Sequence, residues 1–137
     1  MKKRIILLMS AVVLVGACQT MRDKSASESF EQSSTTYNKM IRWDEMASAQ
    51  FAFPPEELRE EYGRRVESAK GVKITDYRVK SSECSPEKGE ATVIVEFEYY
   101  REPSVTTRTV MDVQKWKYVD EKGSRAWRLM SLLPHFP

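Results

Sequence analysis

Residues 91–101 read ATVIVEFEYYR, and apolar side chains occupy every second position of this stretch. Successive side chains of a β-strand point to opposite faces of a sheet, so a period of two assigns one set of residues to each face. One face would carry Ala91, Val93, Val95, Phe97 and Tyr99, and the other Thr92, Ile94, Glu96, Glu98 and Tyr100. The first set is typical of a core face, so the stretch predicts a strand that is covered on one side.

Two acids, Glu96 and Glu98, lie on the second face of this strand. A pair of carboxylates can perform acid–base chemistry, but charges on the solvent face of a β-prone run also protect it against aggregation. We interpret the pair as protective charges.

After Gly71, apolar side chains recur at every second position in three further segments, which predicts strands. These segments are residues 72–80, a run within 105–120, and residues 124–133. The links between the four strands are short and read SPEKGE, EPS and EKG. Short links that contain turn-forming residues are typical of antiparallel hairpins between consecutive strands. The sequence therefore predicts a four-stranded antiparallel meander.

Two helices are predicted before the strands. In residues 35–51 apolar side chains recur at spacings of three and four, which indicates an amphipathic helix. Pro54 and Pro55 interrupt that pattern because proline cannot continue a helical hydrogen-bond ladder. A second helix is predicted to start at Pro55, with Glu56 and Glu57 in its first turn, and to end before Gly71.

This order predicts an α+β domain over residues 35–137, with two N-terminal helices packed on a curved four-stranded antiparallel sheet. The order of elements over residues 37–137 is similar to that of the cone-shaped NTF2-like (cystatin-like) folds. The ending QKWKYVDEKGSRAWRLMSLLP resembles the last hairpin of small NTF2-like bacterial lipoproteins. The resemblance implies a cone that often encloses a pocket, in which some members use His, Asp, Tyr or Glu.

The N-terminus has the parts of a secretory signal. Lys2, Lys3 and Arg4 precede the apolar residues 5–15, and two small residues follow before Cys18. A membrane-spanning helix needs about 20 apolar residues, so this run is too short to span a bilayer.

The tetrad Val15-Gly16-Ala17-Cys18 resembles the lipobox of bacterial lipoproteins. The resemblance implies that residues 1–17 are a signal peptide, that cleavage falls between Ala17 and Cys18, and that Cys18 carries three acyl chains. Gln19, in place of a retention aspartate, then implies the outer membrane, with the domain facing the periplasm. The alternative is an ordinary signal peptide that is cut nearby.

Small and polar residues dominate residues 18–34, which we predict to be a lipidated flexible tether. A flexible segment of this length would reach about 20 to 24 Å on average.

The chain has a formal net charge of +2, with 22 basic and 20 acidic side chains. Removal of residues 1–17 removes three cations, which leaves 19 basic against 20 acidic side chains and a net charge of −1. Nucleic-acid affinity depends on a basic surface, so we expect no nucleic-acid partner.

The sequence contains no recognisable catalytic or cofactor motif. The single histidine, His135, lies in the tail, where we expect a surface or packing role. One histidine and Cys84 cannot supply the ligands of a zinc site, so neither a metal nor a cofactor is expected. Cys84 itself is interpreted as an inert, partly buried thiol at a strand end, with an intermolecular disulfide or a reactive thiol as the alternatives.

Six residues form the candidate ligand pocket: Trp43, Tyr77, Tyr99, Asp112, Trp116 and Trp127. A concave sheet would bring the three tryptophans together, either as core or as the aromatic wall of a site. Asp112 either joins Tyr77, Tyr99 or Arg108 in a buried polar cluster or faces outward and pairs with a cation across the sheet.

These features favour a membrane-anchored, non-catalytic domain that binds a protein partner or a small apolar ligand at the cell envelope. The alternative is an NTF2-like hydrolase or isomerase that uses an acid in the cone. The family resemblance also implies a homodimer through the open sheet face, where Ile94 and Tyr100 are apolar or aromatic.

Overall fold

A computed structural model of the chain describes the backbone of residues 6–137 and the side chains of residues 20–137. This part of the chain is an α+β domain with three helices followed by four strands. The helices are α1 (Ile6–Arg42), α2 (Met46–Ala52) and α3 (Glu56–Ser68). The strands are β1 (Val72–Ser85), β2 (Glu90–Arg101), β3 (Arg108–Glu121) and β4 (Ser124–Leu129).

The four strands form one antiparallel sheet in the order β1-β2-β3-β4, which confirms the predicted meander. β1 is longer than predicted and reaches Ser85, whereas β4 ends at Leu129 rather than at residue 133. The β1–β2 pairing shifts register twice, between Ile74 and Asp76 and between Val79 and Ser81. Such irregularities bend and twist an edge strand, which discourages pairing with another chain.

The predicted flexible tether over residues 18–34 is wrong, because residues 20–34 are part of α1 and pack on the domain. Ala26, Phe30 and Ser34 are buried at successive spacings of four and so lie on one face of the helix. The Phe30 ring lies 6.1 Å from that of Trp116 and 5.0 Å from that of Trp127. The folded domain therefore begins well before residue 35.

The single predicted helix over residues 35–51 is also wrong, because a turn at residues 43–45 divides it between α1 and α2. Asp44 adopts a left-handed backbone conformation, with φ of 63°. The amide of Glu45 donates to the carbonyl of Met40 at 2.8 Å, and the amide of Asp44 donates to the carbonyl of Ile41 at 3.4 Å. These two hydrogen bonds form a Schellman ending, in which Asp44 occupies the position usually taken by glycine.

The last helix agrees with the prediction. Pro55 is the N-cap residue of α3, Glu56 and Glu57 lie in its first turn, and the helix ends before Gly71. Acids in a first turn interact favourably with the positive end of the helix dipole.

One face of the sheet forms the core together with α1. The predicted inward set on β2 is confirmed, since all five of its residues are buried. On the opposite face Glu98 accepts a hydrogen bond from the hydroxyl of Thr75 at 2.8 Å, and Glu96 lies 3.9 Å from the ammonium of Lys80. The two acids therefore lie on the face away from the core, as predicted.

The segment after β4 covers one end of the core. Leu133 and Phe136 are buried, and the Phe136 ring packs against Tyr99 at 5.1 Å. The hydroxyl of Tyr99 donates to the carbonyl of Pro137 at 2.8 Å, and Arg101 donates to the carbonyl of Phe136 at the same distance. This segment is held as part of the domain.

Among the described residues, no helix is both long and apolar enough to span a bilayer. The side chains of Ala17 and Cys18, at the expected cleavage and lipidation site, lie outside the described residues.

The burial of Phe30 predicts that Phe30→Ala lowers the free energy of unfolding by about 3 to 5 kcal/mol, because it removes a fully buried ring. Phe51→Ala is the matched control, since Phe51 is 64% exposed on α2 whereas Phe30 is 1% exposed. Urea denaturation followed by circular dichroism measures both variants. Equal effects of the two substitutions on the free energy of unfolding would contradict the packing of residues 20–34 on the domain and would support a tether instead.

Candidate functional site

The structure does not bring the six predicted pocket residues together. Trp116 and Trp127 are core residues, 1% and 3% exposed, and Phe30 packs against both. The indole nitrogen of Trp127 donates to the backbone carbonyl of Ala26 at 3.0 Å. The core interpretation is therefore correct for these two tryptophans, which attach α1 to the sheet.

Trp43 lies apart from the other two tryptophans and is 66% exposed in the turn after α1. The two predicted tyrosines also serve the core. Tyr99 is buried under the C-terminal segment, and the half-buried Tyr77 packs against Phe97 with ring centroids 6.2 Å apart.

Asp112 is buried, so the expectation that it faces outward and pairs with a cation is wrong. It belongs to a buried polar cluster, as the other alternative held, but its partners differ from those predicted. The side-chain amide of Gln114 donates to the Asp112 carboxylate at 2.9 Å and to the side-chain oxygen of Asn38 at 2.7 Å. Asn38 in turn donates to the carbonyl of Ser34 at 3.0 Å, so the cluster connects β3 to α1.

Two buried tyrosines lie next to this cluster. The hydroxyls of Tyr37 on α1 and Tyr62 on α3 are 2.7 Å apart and share a hydrogen bond. Burial raises the pKa of both phenols above the ordinary value, and the charge of Asp112 adds to the increase. Burial also raises the pKa of Asp112 to about 6, although the hydrogen bond from Gln114 lowers it in part.

In the middle of β3, at residues 111–114, the burial of the side chains is the reverse of what hydrophobicity alone would favour. Asp112, Gln114 and Trp116 face the core, while Met111 and Val113 are 49% and 47% exposed on the opposite face. Polar side chains here occupy the buried face of a strand, where apolar side chains are expected. Such exceptions are often found at functional positions.

Asp112 is 4% exposed and lies beneath the surface of the described domain. Neither Asp112 nor the two tyrosines contribute to the walls of five surface cavities in the described part of the chain. The cluster can hold or release a proton, and none of these five cavities reaches it.

The exposed Trp43 lies in an open groove of about 390 Å³, which we name the distal groove. Its walls come from the α1–α2 turn, the start of β1 and the end of β2, and they include Arg42, Trp43, Asp44, Lys73, Thr75 and Tyr100. The Arg42 guanidinium lies 4.5 Å from the indole ring and donates to the carbonyl of Ile74 at 2.8 Å. The Lys73 ammonium lies 3.0 Å from the Asp44 carboxylate.

A larger groove of about 790 Å³ lies between the start of α3 and the β3–β4 hairpin. Glu121 and Arg128 in its wall already form a two-bond ion pair, with distances of 2.6 and 2.8 Å. Arg128 also donates to the carbonyl of Ala52 at 3.0 Å. These contacts fix the hairpin against α2.

Cys84 and His135 are the two other candidate residues from the sequence. Cys84 is half-buried near the end of β1, and burial raises the pKa of its thiol, which disfavours the reactive thiolate. His135 is exposed in the C-terminal segment. Within the described residues no group of three acidic, histidine or cysteine side chains could bind a metal ion.

No protein-family model matches the chain, and no match was found among curated proteins.

The raised pKa of Asp112 predicts a pH-dependent stability. The folded-state pKa, about 6, lies above the ordinary value of 3.8, so protonation is coupled to folding. The stabilisation is fully present below about pH 4 and is lost as the pH rises through 6, with an amplitude of about 3 kcal/mol.

Asp112→Asn should remove this part of the pH dependence, because an amide does not titrate and still accepts a hydrogen bond from Gln114. Urea denaturation of the variant and the wild type between pH 4 and 7 measures the difference. Asp120→Asn, an exposed acid on the same strand, should keep the wild-type pH profile. If Asp112→Asn keeps that profile as well, Asp112 is not the titrating group.

Proposed function

We propose that the protein is a lipoprotein of the bacterial cell envelope, anchored through acyl chains on Cys18, whose domain binds a partner without catalysing a reaction. The mature chain would begin at Cys18, and with Gln19 following it the protein would reside in the outer membrane and face the periplasm. The partner would be an envelope protein or a small ligand, bound at the distal groove.

The anchor is supported by the complete series of signal features before Cys18. Basic residues, an apolar stretch of limited length and two small residues occur in the order that signal processing requires. Two or more acyl chains suffice for stable membrane attachment, so the domain itself needs no apolar membrane-binding surface.

The exposure of Trp43 is the observation that carries the binding proposal. Tryptophan is usually well buried, and an indole that is 66% exposed loses the stabilisation that burial would give. The core is complete without it, since Trp116, Phe30 and Trp127 pack together at a distance from the turn. An exposed aromatic with a neighbouring arginine is typical of binding surfaces.

An NTF2-like assignment is part of this proposal. Helices followed by an antiparallel meander, with the core on one face of the sheet, support it. The described sheet is an open one, so the cone and its pocket remain predictions.

A second candidate, an NTF2-like hydrolase or isomerase, is favoured by Asp112. A buried carboxyl with a pKa raised to about 6 is a group suited to general acid–base chemistry near neutral pH. An enzyme of this kind would have to open a path between α1 and the sheet to admit its substrate. The closed packing around Asp112 is the reason we place this candidate second.

The homodimer implied by the family resemblance also remains a prediction. Met111 and Val113 join Ile94 on the open face of the sheet, which gives that face a small apolar centre.

The anchor predicts that Cys18→Ser abolishes lipid labelling and leaves residues 1–17 attached, because serine cannot form the thioether. Labelling with an alkyne fatty acid and measurement of the intact mass test this. Cys84→Ser is the matched control and should keep both the label and the mature mass. Labelling of the Cys18→Ser variant would show that the lipid is elsewhere.

The binding function is tested by crosslinking the full-length protein in intact cells and purifying it under denaturing conditions. We expect a crosslinked envelope component whose yield falls in Trp43→Ala and not in Phe51→Ala. A protein recovered alone from all three strains would argue against an envelope protein as the partner.

A further inference from the structure

We propose that the distal groove is a saccharide-binding site, in which a pyranose ring stacks on Trp43 while its hydroxyls hydrogen-bond to the charged groups beside it. This inference rests on the proposed binding function and deepens it by naming the class of ligand.

The first support is the free face of the Trp43 indole. The Arg42 guanidinium, 4.5 Å from the ring, covers one face and is fixed there by its hydrogen bond to the carbonyl of Ile74. Because the residue is nevertheless 66% exposed, the other face is open to solvent. The indole is thus a flat apolar surface that is held in place and ready for stacking.

The second support is a second aromatic ring in the same groove. Tyr100 pairs directly with Lys73 across β1 and β2, so their side chains lie on the same face of the sheet. Tyr100 is half-buried and contributes to the groove wall. Two aromatic residues in one groove can contact two consecutive rings of a chain.

The third support is the pair of charged groups in the wall of the same groove. The Lys73 ammonium and the Asp44 carboxylate are 3.0 Å apart and both exposed, which places a donor of several hydrogen bonds beside an acceptor. A sugar hydroxyl is both a donor and an acceptor, so adjacent hydroxyls can bond to both groups. The left-handed conformation of Asp44 holds this carboxylate next to Trp43.

Other ligand classes fit the groove less well. Sites for apolar small molecules are enclosed and mostly apolar, whereas this groove is open and its wall contains three charged side chains. Phosphate-bearing ligands would meet the Asp44 carboxylate, which already neutralises Lys73. A protein partner would have to desolvate Arg42, Lys73 and Asp44 together, which is costly for charged groups.

The groove volume of about 390 Å³ lies within the range of about 300 to 1,000 Å³ that is usual for small-ligand sites. The groove is also far from the N-terminal end of the domain. Residues 20–42 of α1 rise about 33 Å along the helix axis, and Trp43 follows directly after them. A site at this distance from the proposed anchor could reach a polysaccharide away from the bilayer.

The test uses the full-length protein in detergent micelles and three tetrasaccharides: chitotetraose, maltotetraose and tetragalacturonate. Trp43 is the exposed tryptophan of the described chain, so its emission should change in a saturable way when a saccharide stacks on it. Isothermal titration calorimetry then compares the variants, because Trp43→Ala removes the fluorescent probe.

We expect at least one tetrasaccharide to bind, and Trp43→Ala to weaken that binding by about tenfold, which corresponds to about 1.4 kcal/mol, because the variant lacks the stacking surface. Trp43→Phe should retain part of the affinity, and Phe51→Ala should bind like the wild type. The tetrasaccharide that binds identifies an amino sugar, a neutral glucan or an acidic sugar.

Three results would overturn the proposal. The first is no saturable binding of any tetrasaccharide, and the second is an equal loss in Phe51→Ala and Trp43→Ala. The third is a Trp43-dependent protein crosslink in cells together with no saccharide binding, which would assign the groove to a protein interface and leave the proposed binding function intact.

Discussion

The packing of Phe30 against the indoles of Trp116 and Trp127 joins the long helix α1 to the last two strands of the sheet. The ring distances of 6.1 and 5.0 Å are those of edge-to-face and tilted aromatic pairs, which stabilise beyond the burial of their area. The same side of α1 carries Asn38, whose side-chain pairing with Gln114 fixes the helix against β3 at a second point. Together these contacts fix the position of α1 on the sheet, and therefore the position of the turn with Trp43 that follows it.

The sequence was sufficient for the order and antiparallel pairing of the strands and insufficient for α1, and the difference has a physical cause. Apolar residues occupy every second position of residues 91–101, over five core positions. Only one choice of buried face for β2 therefore covers all of them. The buried stripe of α1 between residues 20 and 34 has only one large apolar side chain, Phe30, because Ala26 and Ser34 are small. A stripe of this kind reads as a polar linker, although Ala, Glu, Gln and Lys are good helix formers. The break after Arg42 was hidden for a related reason, since Asp44 occupies a position where glycine is the usual signal.

The sequence predicted residues of the candidate site better than it predicted how these residues are arranged. Trp43 and Asp112 were both singled out, but the structure places one on the surface and the other in the core. No pattern in the sequence could place Tyr37 and Tyr62 beside Asp112, because these residues are distant in the chain and meet only after α1 and α3 pack. Burial in the middle of β3 was equally hidden, since Met111 and Val113 are more apolar than Asp112 and Gln114. Val110, Trp116 and Tyr118 lie on the inward face of this strand, and the amide pairing with Asn38 gives the buried Gln114 a partner there.

A helical α1 changes what the proposed anchor would do. A flexible segment lets a domain sample all orientations within its reach, so a site on its surface has no defined height above the bilayer. A helix that is packed on the domain at Ala26, Phe30 and Asn38 fixes the direction in which the chain leaves the domain. With acyl chains on Cys18, only the few residues between the anchor and Ala26 could then act as a hinge. The distal groove would be held on the side away from the membrane, and attachment would raise its effective concentration toward partners at that height.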